Sequence, residues 1–196
     1  MTKIKGTIHF KKFSEAKQDF TFSSGINIVY GESGVGKTYL LDVAQRIDPP
    51  QQTNFEIDYQ SDDLEYYRIF QNPDQQIIAS TVSKELTFSG ECKQLDPQEL
   101  EKKVKWGLKH LPDNISPSAN PGYLSGGEKE LLNLVTAIDH GPDVLLIDDG
   151  FSFLSEKNKI ESVDMLRDWV QISGSIVIWT TSLIEDLKYG DSRWKL

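Results

Sequence analysis

Only one cysteine, Cys92, stands among the 196 residues, so no internal disulfide can form and a reducing compartment is expected. Long apolar runs are missing as well. The longest, such as Val144-Leu145-Leu146-Ile147, fall far short of the roughly 20 residues that a membrane-spanning helix needs. The opening residues, Met1-Thr2-Lys3-Ile4-Lys5-Gly6, carry no apolar stretch of the secretory kind. An excess of positive charge is also absent: 21 basic against 30 acidic side chains leave a net charge of −9. Gripping a nucleic-acid backbone calls for a basic stripe. The densest basic cluster, Lys102-Lys103-Val104-Lys105 with Lys109, has Asp96, Glu99 and Glu101 close by and reads as a solvated helix face. Direct nucleic-acid binding is therefore disfavoured, and a soluble cytoplasmic protein is expected.

What is present fits one globular domain with a full core: 38% of the residues are hydrophobic and 26% charged. No repeat or low-complexity tract interrupts it. Ile26-Asn27-Ile28-Val29-Tyr30 is a β-rich run ending at a glycine, and residues 38–47 follow with helical apolar spacing (Leu40, Leu41, Val43, Ala44) until Pro49-Pro50 stops them. Phe55-Glu56-Ile57-Asp58-Tyr59 alternates as a half-buried antiparallel strand does, and residues 64–70 read as another strand. Residues 96–111, 128–138 and 157–170 are helical in pattern, with residues 112–121 a loop. The unbroken apolar runs 144–147 and 176–179 suit strands buried on both faces of a parallel sheet. Strands alternating with helices predict an α/β fold with a mostly parallel sheet and crossover helices. Residues 75–124 hold no convincing strand and read as a helical insertion, and about residues 54–70 as a small antiparallel β arm, of a single domain spanning 1–196.

Two motifs carry chemistry. Gly31-Glu32-Ser33-Gly34-Val35-Gly36-Lys37-Thr38 fits the phosphate-binding loop and lies between a predicted strand and a predicted helix, the setting that loop requires. Its glycines let backbone N–H groups turn toward phosphates, and the helix N-terminus adds partial positive charge. Lys37 would reach the terminal phosphates and the Thr38 hydroxyl would ligate Mg²⁺. The second motif is Leu124-Ser125-Gly126-Gly127-Glu128 opening a helix. Alone it would pass for a linker or a helix cap. Asp148, however, follows at the end of the apolar strand, where a carboxylate facing a phosphate loop can hold Mg²⁺ through water.

With these residues in place the chain resembles the ABC ATPases over nearly its whole length. Residues 31–38 are similar to their Walker A motif, residues 124–128 to their LSGGQ signature with Glu in the last place, and residues 144–148 to Walker B. Gln71 stands where the Q-loop glutamine belongs. The resemblance implies a dimer that sandwiches Mg·ATP. In it Gly31, Glu32, Ser33, Gly34, Val35, Gly36, Lys37 and Thr38 of one protomer bind the nucleotide, and Ser125, Gly126, Gly127 and Glu128 of a second protomer close over it. Thr38, Gln71 and Asp148 would hold the metal; Asp149, Gln71, Lys37 and Thr181 would serve catalysis. An aromatic residue stacking on adenine is expected before the first core strand, with Phe10 and Phe13 the candidates.

Three departures from the family pattern predict slow hydrolysis. Asp149 replaces the glutamate that usually orients the attacking water, and positioning errors of about 1 Å can cost on the order of 10²-fold in rate. Thr181 stands in the place of the switch histidine, and Ser155 ends the segment in which the D-loop usually ends in Asp. Two branches of the family compete. Phe70-Gln71-Asn72-Pro73-Asp74-Gln75-Gln76, with Ser80-Thr81-Val82 and Glu85-Leu86-Thr87-Phe88, is similar to the Q-loop region of energy-coupling-factor importer ATPases. Asp148-Asp149-Gly150-Phe151-Ser152, Thr180-Thr181-Ser182-Leu183 and Gly25-Ile26-Asn27-Ile28 resemble segments of RecF-type ATPases. The length of the Q-loop match and the acidic net charge favour the importer branch. A membrane transport subunit is then the expected partner, with the protein peripheral on the inner face of the membrane. The alternative is a soluble ATP-dependent clamp or a regulatory sensor.

Overall fold

A computed structural model describes residues 3–9, 17–45, 47, 54–59 and 64–196. The chain divides into two compact units, one of residues 1–68, 142–149 and 167–196, the other of residues 69–141 and 150–166.

The first unit is built on a five-stranded sheet of strand order β5-β6-β7-β3-β8. Its strands are β3 (Gly25–Tyr30), β5 (Tyr66–Ile69), β6 (Val144–Asp148), β7 (Ile176–Thr181) and β8 (Ser192–Lys195). β3 runs parallel to β7 and to β8, and β6 parallel to β7. Every residue of β6 and β7 is buried, the reason their sequences are unbroken apolar runs rather than alternating ones. Helix α1 (Lys37–Ala44) adds Leu40, Leu41 and Ala44 to a core that holds Val29, Val144, Leu146, Ile176 and Ile178.

A separate antiparallel sheet, order β2-β1-β4, is formed by β1 (Lys3–His9), β2 (Lys17–Ser23) and β4 (Asn54–Tyr59). Phe20 and Phe22 of β2 enter the same core, their ring centroids 4.7 Å apart, and Trp194 of β8 meets Phe22 edge-on at 6.1 Å. These strands correct the sequence-based expectation that the antiparallel arm runs from Asn54 to Phe70. β5 belongs to the main sheet instead, where Arg68 and Ile69 are buried. The partner that β4 finds is β1, near the N-terminus of the chain. β8 is a further strand that local pattern did not announce, since Ser192-Arg193-Trp194-Lys195 alternates only briefly.

The second unit is helical. It contains α2 (Val82–Cys92), α3 (Pro97–Lys109), α4 (Gly126–His140) and the first part of α5 (Glu156–Ser173). Val82, Leu86, Leu111, Ile115, Leu131, Leu132 and Val135 form its core, with Trp106, Leu154 and Met165 packed against them. α3 starts on a capping box of Asp96 and Glu99 with Pro97 in its first turn, so its orphan N–H groups are satisfied locally. α4 starts on a second such box, Ser125 with Glu128, and ends at Gly141 in the left-handed region, φ 73°.

Candidate functional site

In the first unit the loop 31–36 joins the buried strand β3 to α1. Gly34 and Gly36 take φ values of 81° and 108°, a region that only glycine enters without strain. A Cβ at either would meet nothing within 4 Å, so conformation and not space demands glycine there. Gly36 caps α1 with no side-chain hydrogen bond, which leaves the first N–H groups of the helix open to an anion. Lys37 is 7% exposed and its Nζ donates to the Gly31 carbonyl at 2.9 Å and the Glu32 carbonyl at 3.0 Å. The Thr38 hydroxyl donates to Asp148 Oδ1 at 3.0 Å, joining residues 110 apart in sequence.

Asp148 is 5% exposed and further donors converge on it. Thr180 Oγ1 lies 3.2 Å from Oδ1, and Arg68 Nη2 donates to Oδ2 at 2.6 Å. Arg68 Nη1 holds Asp42 of α1. Burial alone would lower the guanidinium pKa, but its hydrogen bonds to Asp42 and Asp148, with their charges, outweigh that and raise it. Thr38 and Asp148 fit Mg²⁺: a hydroxyl and a carboxylate beside a phosphate loop are hard oxygen donors, and this ion takes one or two carboxylates and completes its shell with phosphates and water. Among the described residues no cluster of three or more His, Cys, Asp and Glu forms a protein-only metal cage. Lys37, Thr38 and Asp148 are thus brought together by the fold.

Asp149 adopts φ 48°, a left-handed conformation that aspartate tolerates better than glutamate. Its N–H donates to the Thr180 carbonyl at 2.9 Å. Its carboxylate accepts the Ser182 N–H at 3.1 Å and lies 3.4 Å from the Ser182 hydroxyl. Thr181 is turned elsewhere: 1% exposed, it donates to Asp186 at 2.7 Å and accepts the Leu183 N–H at 3.0 Å. Just past the end of β7, Ser182 and not Thr181 reaches the Asp149 carboxylate.

The remaining site residues lie in the second unit. Gln71 is exposed just after β5. Ser125 is exposed at the start of α4; its N–H and its hydroxyl each lie 2.8 Å from Glu128 Oε2, and the Glu128 N–H points back to the hydroxyl at 3.3 Å. Asn114 holds Glu128 Oε1 at 3.0 Å. The Ser125 backbone, then Asn114 and the Ser125 hydroxyl, keep the Glu128 carboxyl below its ordinary value. Glutamate in the last place of the signature therefore acts locally, as a helix cap. Gly127 is fixed by close approach, since a Cβ there would stand 2.9 Å from the Phe153 carbonyl oxygen.

Glu130, one turn into α4, was missed by the sequence reading. It is 3% exposed and takes the Phe153 N–H at 3.1 Å, with the Ser152 and Phe151 amides also directed at its carboxylate. Burial pushes its pKa up to about 7 against the opposing pull of those amides and of Lys159. Phe151, in this loop, has φ 68°. No motif flags Glu130 or Arg68. Phe10 and Phe13, the candidates for adenine stacking, lie outside the described residues.

The ABC transporter family profile matches residues 17–152. A putative ABC transporter ATP-binding protein of Pyrococcus horikoshii is 30% identical over 174 residues, which cover 85% of this chain and 66% of that protein. The energy-coupling factor transporter ATP-binding protein EcfA1 of Mycoplasmopsis synoviae is 31% identical over 147 residues, 71% of this chain and 55% of that one. Its counterpart EcfA of Syntrophomonas wolfei is 24% identical over 173 residues, 84% of this chain and 63% of that one. The chain thus spans between about half and two-thirds of these relatives' lengths. Among solved structures, cbiO1 of Clostridium perfringens, part of the ABC transporter complex cbiONQ, superposes with a TM-score of 0.78 at 19% identity over 98% of this chain and 83% of that one. A dimeric ATP-binding cassette bound to ADP and Pi gives 0.78 at 20% identity over 100% and 94%. At such identities these structures show the fold alone, and that fold is the α/β one expected from the sequence.

Proposed function

The chain belongs to the ABC transporter ATP-binding family, and from that premise we propose that it binds Mg·ATP, dimerises around it and hydrolyses it slowly to drive an importer of the energy-coupling-factor type. The observation that carries the reading is the Thr38–Asp148 hydrogen bond at 3.0 Å, which unites two motifs distant in sequence beside the Lys37 amine. The importer branch is supported by the residues from Phe70 to Phe88 and by relatives whose names are those of energy-coupling-factor ATP-binding proteins. In this reading the chain is a single ATPase domain whose insertion, residues 75–124, docks a membrane transport subunit. Ile78 and Phe88, 63% and 45% exposed, are apolar side chains of that insertion open to such a partner. The protein would then sit on the cytoplasmic side of the membrane as a peripheral subunit.

The reaction is in-line attack of water on the γ-phosphorus. A bond forms from the water oxygen to phosphorus, the bond to the β-bridging oxygen breaks, and ADP leaves with phosphate. Lys37 exchanges its two loop carbonyls for phosphate oxygens and neutralises their charge. Thr38 and Asp148, with Gln71, would hold a divalent metal, which when bound would supply charge neutralisation at the phosphates. Asp149 polarises the water and takes its proton. Ser125, Gly126, Gly127 and Glu128 of a second protomer close the site, the Ser125 hydroxyl, the Gly127 N–H and the N-terminus of α4 facing the phosphate. Slow turnover follows from a carboxylate already held by Ser182 and from a Thr181 hydroxyl committed to Asp186. That same arrangement supports the second reading, an ATP-dependent sensor or clamp with turnover near zero.

The test is affinity capture of the tagged protein from detergent-solubilised cells with Mg·ATP present. Recovery of a polytopic membrane protein is expected. Recovery of soluble or DNA-associated partners alone would discard the importer reading in favour of the clamp or sensor.

A further inference from the structure

Arg68 is a full positive charge in the buried second half of β5, at a position whose neighbour Ile69 is 2% exposed. Its guanidinium is 6% exposed and is held at two ends, by Asp42 of α1 and by Asp148 at the end of β6. Taking these charges out of water is costly, and an apolar residue in such a place commonly serves stability as well or better. Stability is thus a poor reason for an arginine here. Position supplies another: the group it grips is the carboxylate that the Thr38 hydroxyl of the phosphate loop also touches.

We propose that Arg68 is a built-in counter-cation of the phosphate site, which competes with the divalent metal for Asp148 and lowers the metal affinity of the site. The inference rests on the phosphate-site reading given above. Its geometry is that of two cations sharing one anion. Arg68 occupies Oδ2 of Asp148 at 2.6 Å, while Oδ1 already accepts from Thr38 and Thr180. A metal, or a water bound to one, reaches this carboxylate as one of those donors yields, and against the repulsion of Arg68. Asp42 makes the exchange feasible. Its side chain is 34% exposed and stays paired with Arg68 when Asp148 is given up, so the guanidinium is never left as a lone buried charge. Lys37 stands apart from this exchange: its amine donates to the Gly31 and Glu32 carbonyls, which it would leave for phosphate oxygens, and not to Asp148.

Binding of Mn²⁺ to the ATP-loaded protein, followed by the fall of the free-ion EPR signal, tests the proposal without measuring turnover. Arg68→Met removes the charge and is expected to tighten Mn²⁺ binding on the order of tenfold or more, since a unit charge next to the carboxylate is lost from a poorly solvated site. Arg68→Gln keeps an N–H donor to Asp148 while losing the charge, so it carries the same expectation with less risk to folding. Arg68→Lys, which keeps the charge without the two-pronged geometry, should stay within about threefold of the parent. Unchanged or weaker Mn²⁺ binding in the Met and Gln variants would overturn the proposal. Variants that fold only when Mn²⁺ is supplied would support it, because the metal then replaces the missing charge. Failure of both to fold with or without Mn²⁺ would make Arg68 structural and sink it. ATP binding by the parent is the separate control: its absence would remove the phosphate-site reading itself.

Discussion

The two units of this chain solve one problem, burying a carboxylate next to a loop of unusual backbone, in opposite ways. In the sheet unit Asp148 is answered by a cation and two hydroxyls: Arg68, Thr38 and Thr180. In the helical unit Glu130 is answered mainly by backbone amides of residues 151–153, and burial pushes its pKa up to about 7. A guanidinium brings a whole opposing charge, whereas amides bring only dipoles, so the second site leaves its carboxylate short of compensation. The first arrangement suits a group that meets other charges, metal and phosphate. The second suits a strut, joining the start of α4 to the loop that carries Phe153.

The largest expected effect sharpens the sheet side of that comparison. Lys37→Ala should lower nucleotide affinity by on the order of 10³-fold, because the one cation that the loop itself supplies is gone, while circular dichroism and the thermal midpoint stay near those of the parent. Calorimetric titration with ATP measures it, and parent-like binding would break the phosphate-loop assignment. Asp149→Asn comes next. Turnover should drop by about 10²-fold or more, with ATP affinity held, since the water loses its base and the phosphate loop is untouched. A phosphate-release assay decides, and an equally active variant would move the base elsewhere.

The helical side is tested by pH. The folded-state pKa of Glu130, about 7, lies above its ordinary 4.5, so protonation favours the folded state. Its contribution is full below about pH 4.5 and is lost as pH rises through about 7. Glu130→Gln imitates the protonated form and should escape that loss. Its stability relative to the parent should therefore rise between pH 5 and pH 8, by up to about 3 kcal/mol, read from urea unfolding at the two values. An equal difference at both would mean that Glu130 is charged and content in the fold. Smallest is Ser125→Ala, which takes apart the capping box of α4 and should cost about 1 kcal/mol of stability. The same variant should weaken ATP-driven dimerisation, measured by sedimentation, if Ser125 also closes the site of a second protomer.

The fold was legible where it depends on local pattern. β6 and β7 were read from continuous apolar runs, α4 from its stripe of Leu131, Leu132, Leu134 and Val135, and the phosphate loop from its glycines. The antiparallel arm was misplaced because strand pairing is not local. β4 takes its partner, β1, from some fifty residues upstream, and Ile4 faces Tyr59 only through that register. Alternation marks a strand without naming its neighbour. The catalytic candidates show the same division. Lys37, Thr38 and Asp148 were singled out because the chemistry assigned to them forces a recognisable spacing, and the fold joins Thr38 to Asp148. Ser182, which holds Asp149, stands one residue past the Thr181 that the family pattern singles out. β7 ends at Thr181, and beyond a strand end no fixed period says where the next side chain points, so only the fold reveals which hydroxyl turns toward the carboxylate.

By itself, then, the sequence determined that this chain is an α/β protein with a phosphate loop, a signature segment at a helix start and an acidic residue closing an apolar strand. Each of these is written in contiguous residues whose spacing follows from backbone geometry. Tertiary structure alone decided that Arg68 would sit between Asp42 and Asp148, and that Glu130 would gather the amides of residues 151–153. Those are pairings of buried charge, and buried charge is settled by which groups the whole fold brings within hydrogen-bond reach.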